Sequence, residues 1–358
     1  MSNTWQERFT ELTNYVAGHP EIVISETKVS IPESVRPEFY RLFGEVRRSF
    51  VIEKFPDLIE AAEPLSQSFA KTQQEVEQLL GLESIVIPDS VKWFIKDPVD
   101  GLIRVSWSPL FDLLKKKLDP ATFVSNELRE VKQLYDALYY QAYEDWLELA
   151  LLKLLKAKHL LRVNAPTITG SFGHAQGYVM HLDLKPVIPP EESKELSLIR
   201  GFSMVSFTVP DFIVYSAELG KYASVKAEVC KANWVALDPS GSREWLPLNN
   251  MRDIFKPGYL LIYVDDNPLN LALVNDVNKI CRPDIVLEFR ERKNWYSDEE
   301  MQKVKAHNDM LKPKLGTFIV SREPVREHLP PGLEEGIRLL NVGTDVDQLR
   351  RIIDVLKS

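Results

Sequence analysis

The chain has 358 residues, 44% hydrophobic and 27% charged, with a formal net charge of -8. That is enough apolar material for one large domain or two ordinary ones, which excludes disorder as the whole story. No stretch has the roughly 18 to 20 uncharged apolar residues of a membrane helix, and the opening MSNTWQERFTEL lacks the apolar core of a signal peptide, so a cytoplasmic protein without a membrane partner is expected.

Cys230 and Cys281 are the only cysteines, too few for a disulfide framework and too far apart to share a zinc ion, and both read as buried thiols. Residues 1 to 160 carry 19 Lys+Arg against 25 Asp+Glu, and the remainder 25 against 27. This balance argues against a general nucleic-acid coat, whose affinity needs a cationic surface. A local basic groove using Arg290, Arg292, Lys293, Lys312 or Lys314 is weighed against a solvated mixed-charge surface, and the latter is preferred.

The first 160 residues read as helices. Thr4 and Glu7 form a capping box, Trp5, Phe9, Leu12 and Val16 recur at helical spacing, and Gly18 with Pro20 ends the run. A second helix begins near Pro37 and carries Phe39, Phe43, Val46 and Phe50. A third follows Pro56, with an interruption predicted at Pro64 because proline lacks the amide and crowds the preceding turn. Val29-Ser-Ile-Pro-Glu-Ser-Val-Arg36 and Ile85-Val-Ile-Pro-Asp-Ser-Val-Lys92 match each other and read as a recurrent helix entry, with proline early and an acid near the positive helix end. Asp119-Pro120 opens another helix. From about Ser125 to Lys158 a long helix is predicted, apolar on nearly every face from Trp146 to Leu155, as in the centre of a bundle.

After Leu161 the texture changes. PTITGSFGHAQGYVMHLDLKPV reads as a β-hairpin, and Pro186 to Leu196 as an exposed loop. From Leu198 onward the predicted order is three strands (FSMVSFTV, DFIVYSA and YASVKAEVCKANW), a helix over about Leu248–Phe255, the strand GYLLIYVDD, and a helix from about Pro268 to Ile280. The strand DIVLEFRE follows, then a helix opened by Ser297, the strands GTFIVSRE and IRLLNVG, and a closing helix from Thr344 to Leu356. The expected organisation is a helical domain (1–160), a hairpin and linker segment (161–197) and a three-layer α/β domain (198–358), restriction-endonuclease-like or Rossmann-like, on a mixed, largely parallel sheet.

Nucleotide-binding glycine motifs and a GxSxG elbow are missing, and Asn341-Val-Gly343-Thr344 reads as a helix cap. The most suggestive set is Pro210-Asp211 opening one strand, with Lys226, Glu228 and Lys231 on the next. With its strand order, this set resembles the PD-(D/E)xK, or restriction-endonuclease-like, superfamily over about residues 198–266. The resemblance implies a metal-dependent nuclease-like phosphodiesterase acting on nucleic acid. In it Asp211 and Glu228 would hold Mg²⁺ through hard oxygen ligands while a lysine stabilises charge at phosphorus. Cys230 occupies the family's lysine position. Lys231 would point to the opposite strand face, whereas Lys226 shares the face of Glu228, so the assisting residue is Lys226 or Lys231.

Pro283-Asp284 with Glu288, Arg290 and Glu291-Arg-Lys293 forms a second such set, too compact to span two strands; Asp284 reads as a connector. Asp265 and Asp266 read as a turn capping the next helix. His174, His181 and Asp183 read as a surface hairpin in preference to a metal site. Trp234, Trp245 and Tyr259 read as core or loop anchors in preference to base-stacking platforms. The alternative function is a non-catalytic interaction or scaffold protein. Its apolar helix of residues 125–158 would dock a protein partner, beside a degenerate nuclease-like domain.

Overall fold

The computed structural model describes residues 4–164, 167–170, 180–183, 188–189, 191–199, 208–227, 243–247, 259–275, 279–290, 298–322 and 336–358. It has a helical N-terminal part followed by an α/β part. Two compact units divide the chain: Met1–Ala70 with Pro88–Tyr143, and Lys71–Ile87 with Glu144–Ser358.

The N-terminal elements are α1 (Trp5–Gly18), β1 (Val23–Ile24), β2 (Val29–Ser30), α2 (Arg36–Lys54), α3 (Pro56–Leu80), β3 (Ser84–Val86), α4 (Asp89–Lys96), α5 (Pro98–Leu102), α6 (Trp107–Leu114) and α7 (Pro120–Leu154). The capping box of Thr4 and Glu7 is formed in both directions. Both matched segments run from a short strand into a helix, β2 toward α2 and β3 into α4. Trp5, Phe50 and Phe123, all buried, meet at 5.5–5.6 Å between ring centroids.

Two expectations are corrected here. The helix is not interrupted at Pro64, which lies within continuous α3. Pro64 is exposed, so the carbonyl deprived of its partner can be hydrated, while Ala62, Leu65, Phe69, Thr72 and Val76 keep one buried stripe across it. The long helix stops at Leu154 instead of Lys158, because Lys156 takes a left-handed φ of 48° and Ala157 begins a strand.

The remaining elements are β4 (Ala157–Leu161), β5 (Thr167–Gly170), β6 (Met180–Asp183), β7 (Glu195–Ser197), β8 (Phe212–Ser216), β9 (Lys221–Lys226), β10 (Trp245–Pro247), β11 (Tyr259–Asp265), β12 (Lys279–Cys281), β13 (Ile285–Arg290), α8 (Asp298–Leu311), β14 (Thr317–Ser321), β15 (Ile337–Asn341) and α9 (Arg350–Lys357). The hairpin forms as β5 against β6. Glu195 and Leu196, read as loop, instead pair with β3 in parallel. The helix expected at 248–255 lies outside the described residues, as do residues 202–207 of the strand expected at 202–209, whose last two residues, Thr208 and Val209, are not in a strand.

Seven strands make the main sheet, in the order β15-β14-β13-β11-β9-β8-β4. It is mixed, as expected, but parallel pairing is confined to β13, β14 and β15. The other pairings, from β4 through β13, are antiparallel. The cause is local. The helix predicted from Pro268 to Ile280 would have carried the chain back for a parallel return, but those residues form a short 3-10 turn at Pro268–Leu271 and then β12. With no crossover helix among the described residues between them, β11 and β13 lie antiparallel. One sheet face, carrying Ile213, Leu261, Tyr263 and Val286, packs with Leu246, Ile280, Cys281 and Leu311; nearer β15, Ile319 and Ile337 pack under Met301 and Val304 of α8.

Candidate functional site

Antiparallel register decides which side chains share a sheet face. Phe212 lies opposite Val225, and Lys226 lies opposite Leu261, which lies opposite Val286. Alternation along each strand therefore sets Asp211, Lys226, Glu288 and Arg290 on one face. They also share one end of the sheet. Asp211 opens β8, Lys226 closes β9, and Glu288 and Arg290 close β13, where the parallel strands β13 to β15 present their C-termini. In open α/β sheets this is the end at which ligands bind.

At the β8–β9 pair, the Lys226 ammonium donates to Asp211 Oδ1 at 2.8 Å. The Ala227 amide donates to Asp211 Oδ2 at 2.6 Å, and the Asp211 amide donates to the Val225 carbonyl at 2.8 Å. Side-chain exposure is 6% for Lys226 and 17% for Asp211, so the pair is largely withdrawn from water. Glu228 and Lys231 lie outside the described residues. The structure thus brings Asp211 together with Lys226, two of the residues on which the resemblance rests. Asp211 offers hard oxygen ligands, although both oxygens already accept hydrogen bonds. Among the described residues no group of three His, Cys, Asp or Glu side chains is placed to hold a metal ion.

Two strand spacings across the sheet from Lys226, and two residues further along β13 than its register partner Val286, stands a second polar group. Glu288, 1% exposed in its side chain, lies 2.6 Å from Nδ1 of His307 on α8 and accepts from Arg290 Nη2 at 3.1 Å. One signal for it was legible: a lone carboxylate in the middle of IVLEFR, a strand buried at nearly every position. His307 carried no such signal, since its meeting with Glu288 depends on how α8 folds back onto the sheet.

A third cluster occupies the opposite end. Arg243 donates to Asp284 Oδ2 at 2.7 Å, to the Val264 carbonyl at 2.7 Å and toward Cys281 Sγ at 3.2 Å. Lys314 also pairs with Asp284, at 3.1 Å. Burial opposes the charge of Arg243, but Cys281 and Asp284 outweigh it and raise its pKa above the ordinary guanidinium value. Burial likewise pushes the Cys281 thiol up, against the pull of Arg243. Asp284 therefore holds the segment before β10 and strand β11 against the start of β13; it was expected to connect a helix to a strand, but the residues before it form β12.

The basic residues considered for one groove are divided. Arg290 serves the Glu288 end, Lys314 serves the Asp284 end, and Arg292 and Lys293 lie outside the described residues. Asp265 accepts from the Asn267 amide and from Asn270 Nδ2, closing the turn after β11. Gly343 takes a φ of 56° and gives its amide to the Ser321 carbonyl. Trp245 is partly buried against the sheet core, as an anchor. His181 and Asp183 lie on β6, while His174, Cys230 and Trp234 lie outside the described residues. No helix among the described residues is long and apolar enough to cross a membrane. No protein-family model, curated protein or solved structure matches this chain.

Proposed function

We propose that this chain is a metal-dependent phosphodiesterase of nuclease type, with Asp211 and Glu228 as the Mg²⁺ carboxylates and Lys226 as the assisting cation. The observation that carries this reading is the withdrawn Asp211–Lys226 pair on adjoining strands, 2.8 Å apart, at the sheet end where the parallel strands finish. Lys226 is already aimed at the acid, so its ammonium would stand beside the metal-held phosphate and stabilise charge developing on the phosphoryl oxygens. A divalent cation bound there would lower the pKa of a water directed at phosphorus.

The scaffold alternative has less to stand on. Of the α7 stripe that suggested a docking surface, Val131, Leu138, Trp146, Leu149 and Leu152 are buried, and Leu128 is 41% exposed.

Calorimetric titration with Mg²⁺ and Mn²⁺ tests the reading, on the wild type and on Asp211→Ala, Glu228→Ala and Lys226→Ala, alongside cleavage of labelled DNA and RNA strands. Binding and cleavage are expected in the wild type, with binding lost in both acid variants and cleavage lost in all three. Metal-dependent cleavage that persists unchanged in Asp211→Ala would overturn the assignment.

A further inference from the structure

The first compact unit carries exposed aromatic rings beside cationic side chains that the sheet chemistry does not use. Trp93 on α4 is 41% exposed, Trp107 at the start of α6 is 44% exposed, and Tyr40 on α2 is 37% exposed. These three are the large aromatic rings left exposed among the described residues. Each tryptophan carries an arginine. The Arg104 guanidinium lies 3.5 Å from the centroid of Trp93, and that of Arg47 lies 4.9 Å from Trp107. Tyr40 stacks on Trp107 at 5.5 Å with an interplanar angle of 17°. Arg47 Nη1 donates to the Ile103 carbonyl at 3.3 Å, which ties it to the turn from Ile103 to Ser106 that contains Arg104.

Charge makes these two arginines different from their neighbours. Arg41 is paired with Glu38 and Glu45, and Arg48 with Asp97 and Asp100. Among the described residues Arg47 and Arg104 have no carboxylate partner, and Arg47 Nε is buried without a hydrogen-bond partner. Lys92 and Lys96, beside Trp93 on the exposed side of α4, also form no ion pair among the described residues. The net acidity of residues 1 to 160 conceals a local surplus: residues 92 to 117 hold six Lys+Arg against three Asp+Glu. Two of those three acids, Asp97 and Asp100, are committed to Arg48.

From this juxtaposition we infer that the surface formed by Tyr40, Arg47, Trp93, Lys96, Arg104 and Trp107 binds single-stranded nucleic acid. Unpaired bases can extend the aromatic stacks while successive phosphates take up the uncompensated cations, a combination that suits a polynucleotide strand and not a duplex, whose bases are hidden. An acidic peptide would satisfy the cations but would leave the ring faces without a planar partner. The inference deepens the phosphodiesterase reading by naming the strand that the helical unit holds, but its test requires no cleavage.

The test is fluorescence anisotropy of a labelled dT20 strand with the full chain, in EDTA and at low salt. Binding is expected, weakened at least about fivefold in Trp93→Ala and again in Trp107→Ala, as loss of one stacked base implies. Arg104→Ala is expected to flatten the dependence of log affinity on log salt by roughly 0.7 for each phosphate that the guanidinium no longer neutralises. Trp93→Phe and Trp107→Phe, which preserve a ring, are expected to retain most of the affinity and guard against misfolding. Failure of dT20 to bind overturns the inference, as does equal binding by the wild type and Trp93→Ala. A deca-glutamate peptide that binds as tightly as dT20 also overturns it, in favour of a protein partner. Retained dT20 binding in EDTA with no metal-dependent cleavage by the wild type would defeat the catalytic reading and leave this one standing.

Discussion

Lys226 carries its charge at a position where 6% of the side chain meets solvent, which is sustainable because Asp211 lies 2.8 Å away. Removing one member of such a pair leaves the other desolvated and partnerless, a larger loss than the net contribution of the pair itself. Lys226→Met, which keeps the apolar stem, is therefore expected to lower unfolding free energy by about 2 kcal/mol, read as a shift in urea midpoint. The double variant Lys226→Met with Asp211→Asn should cost less than the two single changes added together. Additive losses would show that the two side chains do not depend on each other. Asp211 was legible because Pro-Asp at the mouth of an apolar strand is a recognisable signature. Its partner was ambiguous, because the choice between Lys226 and Lys231 depends on strand face. Register now sets Lys226 beside the acid.

Among the elements, the turn between β8 and β9 binds two distant pieces of chain. Glu218 pairs with Lys156, just beyond α7, at 2.6 Å and with Lys357 at the end of α9. The two lysines hold the Glu218 carboxyl well below its ordinary 4.5, at about 2. Because the folded value is depressed, the contribution of this group is fully present above the ordinary carboxylate range and is lost as pH falls toward 2. Glu218→Gln should therefore lower stability at neutral pH and make the acid-induced decline between about pH 4.5 and 2 shallower. Identical pH profiles for variant and wild type, followed by circular dichroism, would contradict that link. The elements themselves follow sequence where a local rule governs them. The capping box at Thr4, the chain entry at Asp119-Pro120 and the apolar runs of β11, β13 and β14 are all local. Pro64 and the stretch from Pro268 to Ile280 depart from local expectation for opposite reasons. Around Pro64 a continuous buried stripe holds α3 together despite one missing hydrogen bond. After Pro268 the residues from Lys279 to Cys281 find a strand partner in β10, and helical propensity yields to that pairing.

For the whole molecule, the change in composition near residue 160 marks where helices give way to strands, while the compact units divide elsewhere: residues 71–87 and 144–154 belong with the sheet. Trp146, Leu147, Leu149, Leu151 and Leu152 are at most 1% exposed in the full chain. A fragment of residues 1–160 would leave them without the rest of their unit. It is expected to self-associate and to bind a hydrophobic dye, whereas the full chain should do neither; a monomeric, dye-silent fragment would show that the helices are self-sufficient.

Sequence by itself determined the helical first part, the mixed α/β second part and the chain positions of most strands, because capping, hydrophobic period and turn chemistry act over a few residues. It also located Asp211 as a residue type, without its neighbours. Only the tertiary structure decided that β11 and β13 run antiparallel and that Lys226 meets Asp211. The same holds for the meeting of His307 with Glu288, and for the uncompensated arginines that cover two exposed tryptophans. Each of these depends on register or on packing between residues far apart in the chain, and the cost of bringing such residues together is met by the whole fold rather than by any short stretch of sequence.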